Sequence, residues 1–110
     1  ENQKAAQFIE SSSAIRKRVE AARMLQQERF TKDGFHANAQ MRNSQVKRYC
    51  AISLQGDRLL QQAGARFQLS ARSYMKALKI ARTIADLEGA QAVGLSHLAE
   101  ALQYRPKLSV

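Results

Sequence analysis

Apolar residues recur at helical spacing along most of the chain, and no stretch alternates with period two for long enough to predict a strand. The strongest pattern lies at 71–88. Ala71, Tyr74, Met75, Leu78, Ala81 and Ala85 recur every three or four residues, and Ala77, Ile80, Ile84 and Leu87 widen that stripe. A stripe this wide predicts a helix packed on more than one side. Ser70 stands before it as an N-cap, Leu69 and Tyr74 occupy hydrophobic-staple positions, and Gly89 follows as the C-cap.

The other segments are shorter. Ser11–Ser13 offers N-caps for a helix running to about Phe30, with Ile15, Val19, Ala22 and Leu25 on one face and Ala14, Ala21 and Met24 beside them. Lys32-Asp33-Gly34 signals a turn, and Phe35, Ala39 and Met41 are expected to tuck onto the core. Ser44 reads as the cap of a short helix over 45–50 with Val46, Tyr49 and Cys50 inward. A third helix is expected from about Asp57 to Phe67, with Leu59, Leu60, Ala63 and Phe67 buried, followed by a tight corner at 68–70. Ser96 reads as the cap of a last helix from His97 to about Tyr104, with Leu98, Ala101 and Leu102 inward and Pro106 as its stop. The fold class expected is all-α: a compact bundle of about five helices over residues 11–106, with 71–88 at its centre. Residues 1–10 read as a linker or tail and 107–110 as a tail.

Composition narrows the picture. With 110 residues, 45% of them hydrophobic, this is one domain with a real core, and only five Gly and one Pro favour helices. Eighteen basic residues against nine acidic ones leave a net charge of +9, which suggests an anionic neighbour. The excess is spread evenly, 10 basic and 5 acidic residues in 1–49 and 8 and 4 in 50–110, so charge alone does not choose that neighbour. The single Cys50 excludes an internal disulfide and reads as a half-buried structural thiol in a reducing, cytoplasmic setting. No apolar run approaches the ~20 residues of a membrane span, and no membrane partner is expected. The chain opens at Glu1 without Met and reads as a piece of something longer.

Much chemistry is missing. There is no Gly-rich phosphate loop ending in Lys-Ser/Thr. His36 and His97 have no Cys or carboxylate at metal-ligand spacing, and no nucleophile–base arrangement is suggested, so no metal site is expected and the domain alone is not expected to be an enzyme. Asp86, disfavoured near a helix C-terminus, has Arg82 four residues before it as a structural partner. Arg72 breaks a local rule: a cation sits in a first turn, where the helix dipole favours anions. Beside free backbone N–H donors it is either a phosphate-contacting group or an ordinary solvated arginine. It heads a basic strip with Lys76 and Lys79 on the face that also carries Thr83 and Asp86, opposite the apolar stripe. The Arg-rich first helix is a second candidate surface, with Arg16, Lys17 and Arg23 as possible nucleic-acid contacts or as a plain solvated face.

The run LSARSYMKALKIARTIADLEG, followed by LSHLAEALQYR, resembles the C-terminal lid domain of magnesium-chelatase-like AAA+ ATPases, nearest the bacterial competence protein ComM subfamily. ESSSAIRKRVEAAR, QQERF, NAQM and the segment ending in YC match in the same order. The resemblance covers about residues 10–106 and is most specific over 69–105. It implies that Arg72, within Ser70-Ala71-Arg72, is a sensor 2 arginine reaching the γ-phosphate of ATP. Ser70 and Lys76 are weaker candidates for the same site. It further implies Mg²⁺-ATP in the full-length protein with none bound to this piece, an N-terminal AAA+ core carrying the remaining ATPase motifs, neighbouring subunits in a hexameric ring, and a helicase-type action on DNA. Two other functions stay open: a basic nucleic-acid-binding module, and the lid of a metal-chelatase motor subunit. Met75 departs from the histidine common in relatives at its position.

Overall fold

The long apolar stripe at 71–88 forms one helix with the ends its sequence predicts. In the computed structural model, which describes the backbone of residues 2–104 and side chains from Ser12 onward, five helices follow one another: α1 (Asn2–Arg29), α2 (Asn43–Tyr49), α3 (Leu54–Phe67), α4 (Ala71–Glu88) and α5 (Leu95–Leu102). A single 3-10 turn, Asn38–Gln40, lies between α1 and α2, and no strand occurs among the described residues. The protein is an all-α bundle. Ser70 Oγ caps α4 by accepting the Ser73 N–H at 3.1 Å. Gly89 ends it at φ 77°, a left-handed conformation open to glycine without a Cβ penalty. The corner before α4 is made by Gln68, also left-handed at φ 54°.

Four helix starts differ from expectation. Ser53, not a residue near Asp57, caps α3, its Oγ accepting from Gly56 N–H at 3.1 Å. Ser44 and Ser96 lie inside their helices. The work of a cap is done there by a side chain reaching back from the first turn: Gln45 Oε1 accepts from Arg42 N–H at 2.9 Å, and His97 Nδ1 accepts from Gly94 N–H at 2.8 Å. The helix α1 already runs at Asn2 and passes through Ser11–Ser13, so none of those serines begins it. The stop expected at Pro106 and the tail at 107–110 lie outside the described residues.

The core is built around α4, which meets α1, α2, α5 and the 3-10 turn. Ala77, Ala81 and Ala85 are fully buried, small enough for neighbours to approach, while Leu78 packs with Leu60, Ala63, Leu98, Ala101 and Leu102. Phe30, at the end of α1, closes the other flank. Its ring lies 4.7 Å from Phe35 and edge-on to Tyr49 at 5.5 Å. Val46, Cys50 and Met41 join this cluster as expected, but Ala39 is exposed and Asn38 takes the interior place. Burial pushes the Cys50 thiol up to about 11. Ala71, at the very start of α4, also stays exposed.

The stripe expected on α1 is used only in part. Ala22 is buried and Val19 half-buried, whereas Ile15 and Leu25 are 50% and 39% exposed. Ile15 borders an open groove with Leu87 and Tyr104, where α4 ends and none of the described residues covers it. No helix among the described residues is long and apolar enough to cross a membrane.

Candidate functional site

Arg72 occupies the second position of α4, in the first turn, where the cap leaves N–H groups unsatisfied. Ser70 Oγ is engaged with Ser73, accepting its N–H and bonding its hydroxyl at 3.1 Å, which leaves the N–H groups of Ala71 and Arg72 outside the cap. Ser70 therefore serves the helix end and does not line the adjoining groove. Arg72 is exposed, and among the described residues it has neither hydrogen bond nor ion pair. It lines a groove of about 700 Å³ together with Lys76, Lys79, Met75 and Ile80 on α4, and Ala39 and Asn43 opposite. Three cations and no carboxylate line this groove. Its size falls in the range of small-molecule sites, and its charge suits a polyphosphate.

The three cations differ in what they touch. Lys79 Nζ crosses to the backbone carbonyl of Ala39 at 3.4 Å and closes one end of the groove. Arg72 and Lys76 remain turned to the open space. The chain thus brings Arg72, Lys76 and Lys79 together, and keeps Ser70 at the edge. Arg16, Lys17 and Arg23 are exposed on α1 and take no part in this groove; Arg23 instead borders a separate cleft with Gln26, His36 and Thr83.

Behind the groove lies a buried polar cluster. Thr83 and Asp86 were expected on the open face with Arg72, but α1 and the 3-10 turn pack there, and Asp86 is 1% exposed. Its carboxylate accepts two hydrogen bonds from Arg29, at 2.7 and 2.8 Å, one from Asn38 Nδ2 at 2.8 Å, and one from Arg82 Nε at 3.2 Å. Arg82, itself buried, also donates to the carbonyls of Ala90 and Gln91 at 2.8 and 3.0 Å, holding the loop to α5. The pairing of Arg82 with Asp86 is structural, as its spacing suggests, yet it is the smaller part of what Asp86 does. Burial pushes the Asp86 carboxyl up, but hydrogen bonds from Arg29 and Asn38, with the charges of Arg29 and Arg82, more than offset this and hold it below the ordinary carboxylate value. The hydrogen bond to Asp86 raises the pKa of Arg29 despite its partial burial. Among the described side chains no buried N or O atom lacks a partner.

Sequence reasoning misses Arg29, Asn38 and their shared carboxylate because 48 and 57 residues separate the partners. The only local signal is Asp86 itself, an acidic residue near the end of a helix where the dipole opposes it. Among the described residues no group of three or more His, Cys, Asp or Glu is placed to hold a metal ion.

Residues 9–105 match the model of the family described as magnesium chelatase, subunit ChlI C-terminal. The chain belongs to that family and is the C-terminal domain of a magnesium-chelatase-like AAA+ protein. It is similar to the Competence protein ComM of Haemophilus influenzae, 38% identical over 96 residues that make up 87% of this chain and 18% of that protein. The protein YifB of Salmonella typhimurium is also 38% identical over 87% of this chain and 18% of its own length, and YifB of Escherichia coli is 33% identical over the same shares. The chain thus spans less than a fifth of the length of these curated relatives. No solved structure matches it.

Proposed function

We propose that this domain is the lid of a ring-shaped, cytoplasmic AAA+ motor and that Arg72 is its sensor 2 arginine. The observation that carries the reading is the groove at the start of α4, lined by Arg72, Lys76 and Lys79 with no carboxylate. A free guanidinium beside uncapped N–H donors fits the γ-phosphate of ATP, and phosphoryl transfer is catalysed chiefly by positioning and by stabilising developing charge. Bound Mg²⁺ would neutralise the phosphates; its ligands belong to the preceding core, since this groove offers it no carboxylate. The domain by itself lacks the rest of the site and is inert as an ATPase. Lys76 supplies supporting charge, and Lys79 braces the groove wall.

The parent motor acts on DNA in this reading, as the likeness to a competence protein suggests. The net charge of +9 and the exposed Arg16, Lys17 and Arg23 of α1 support contact with an anionic polymer. A chelatase role would instead show itself in stable binding of chelatase partner subunits by the parent protein. The test of the lid reading is ATP hydrolysis by the full-length parent carrying Arg72→Ala: a loss of rate at unchanged melting temperature supports it, and an unchanged rate refutes it. Titrating the parent with DNA at rising salt tests the α1 surface. Charge reversal at Arg16, Lys17 and Arg23 flattens the salt dependence if they touch phosphates.

A further inference from the structure

We infer that Asn38 is a positioning residue for the Arg72 groove: it fixes the wall that faces the basic residues of α4. This rests on the groove being the nucleotide site. The wall is the 3-10 turn, whose Ala39 lines the groove while its neighbour Asn38 is buried. Asn38 uses every polar atom of its side chain to hold that turn. Its Nδ2 donates to Asp86 Oδ2 at 2.8 Å and to Thr83 Oγ1 at 3.1 Å, and its Oδ1 accepts from Arg29 Nη1 at 2.8 Å. Its backbone N–H donates to Gln26 Oε1 at 2.9 Å. Thr83 Oγ1 in turn donates to the Lys79 carbonyl at 3.0 Å, one turn back along α4, and Lys79 Nζ returns to the Ala39 carbonyl at 3.4 Å. The turn is therefore stapled to α4 at Lys79, Thr83 and Asp86, and to α1 at Gln26 and Arg29.

The consequence for binding differs from that of losing Arg72. Arg72 stands in the first turn of α4, whose Ser70 cap does not involve Asn38; the bonds of Asn38 to α4 lie further along, at Thr83 and Asp86, so the reach of Arg72 is set independently of the wall. Loosening the wall leaves the arginine in place but makes the groove order itself whenever nucleotide binds. That cost falls on affinity and not on the chemical step. The same staples tie the end of α1 to the groove, so displacement of α1 is felt at the wall.

The experiment uses the full-length parent protein and ATP as the probe, with dissociation constant by equilibrium titration, kcat, and melting temperature measured together. Asn38→Ala is expected to raise the ATP dissociation constant about three- to tenfold with kcat within about twofold of wild type, the scale seen for coupling residues that do not touch the ligand. Gly56→Ala, remote from the groove, serves as a destabilised control whose affinity for ATP stays at the wild-type value. If Asn38→Ala does not fold, Thr83→Val removes one staple only and is expected to weaken ATP binding in the same direction by a smaller factor. Wild-type affinity in whichever variant folds, alongside a clear defect in Arg72→Ala, overturns the role of Asn38 and leaves the site standing. Wild-type hydrolysis and affinity in Arg72→Ala overturn the site and this inference with it. Affinity loss in Gly56→Ala equal to that in Asn38→Ala also overturns it, because general loosening then suffices.

Discussion

The guanidinium of Arg29, at the last position of α1, grips the carboxylate of Asp86, near the end of α4, through two hydrogen bonds of 2.7 and 2.8 Å. Arg82 pairs with one of the same oxygens at 3.1 Å, so one buried anion is shared between two helices and the loop to α5. Removing one partner of a buried pair leaves the other charge uncompensated, typically at 3–5 kcal/mol. Arg82 softens that loss here. Arg29→Ala is therefore expected to cost about 3 kcal/mol in urea unfolding, and Asp86→Ala more, since it strands two arginines. Wild-type stability in Arg29→Ala would show that α1 is held by its apolar contacts alone.

The same carboxylate predicts an acid limb. Its folded pKa lies below the ordinary value of 3.8, so its stabilising contribution is fully present above that value and is lost as pH falls through the folded one. Unfolding midpoints measured from pH 5 downward should fall for the wild type. Asp86→Asn should show a shallower fall.

Cys50 predicts an alkaline limb of the opposite sense. Its ordinary pKa of 9.0 is pushed up to about 11 by burial, so the unfolded chain releases this proton first. The contribution is intact below about pH 9 and declines as pH rises toward 11. Thiol reagents should accordingly label Cys50 at the rate of global unfolding. Fast labelling of the folded protein at pH 8 would contradict its burial.

Gly56 tests packing against propensity. It lies in the first turn of α3, where alanine is the better helix former by about 1 kcal/mol. A Cβ there would meet Leu98 Cδ1 at 2.9 Å and Ile52 Cβ at 3.3 Å, and Leu98 is fully buried. Overpacking of this kind costs typically 1–3 kcal/mol, so Gly56→Ala is expected to lower stability despite its better propensity. A gain in stability would mean that α3 and α5 separate easily.

What could be read from the residues alone follows from range. The ends of α4 at Ser70 and Gly89 and the buried sides of α2, α3 and α5 are local, set by spacing and by cap chemistry within a few residues. The caps supplied by Gln45 and His97 are also local, but a serine nearby gave a competing and simpler signal. The face of α4 bearing Thr83 and Asp86 reads as open in the sequence because its cover comes from α1 and the turn at Asn38, far away in the chain. A polar face reads as solvated until its partners are known. Arg72 stands out for a local reason, a cation where the helix dipole disfavours one, while the wall opposite it carries no local mark. The exposed Ile15 and Leu25 show the converse: helical periodicity cannot say where a neighbouring helix ends.

The most direct measurement is steady-state ATP hydrolysis by the full-length parent, wild type against Arg72→Ala, with Lys76→Ala alongside and melting temperatures recorded for all three. Arg72→Ala is expected to lose at least about tenfold in rate with melting unchanged, and Lys76→Ala a smaller factor, because only Arg72 stands beside the uncapped N–H groups. Hydrolysis by Arg72→Ala at the wild-type rate, with wild-type melting, would leave Arg72 a solvated side chain and remove the nucleotide from this groove.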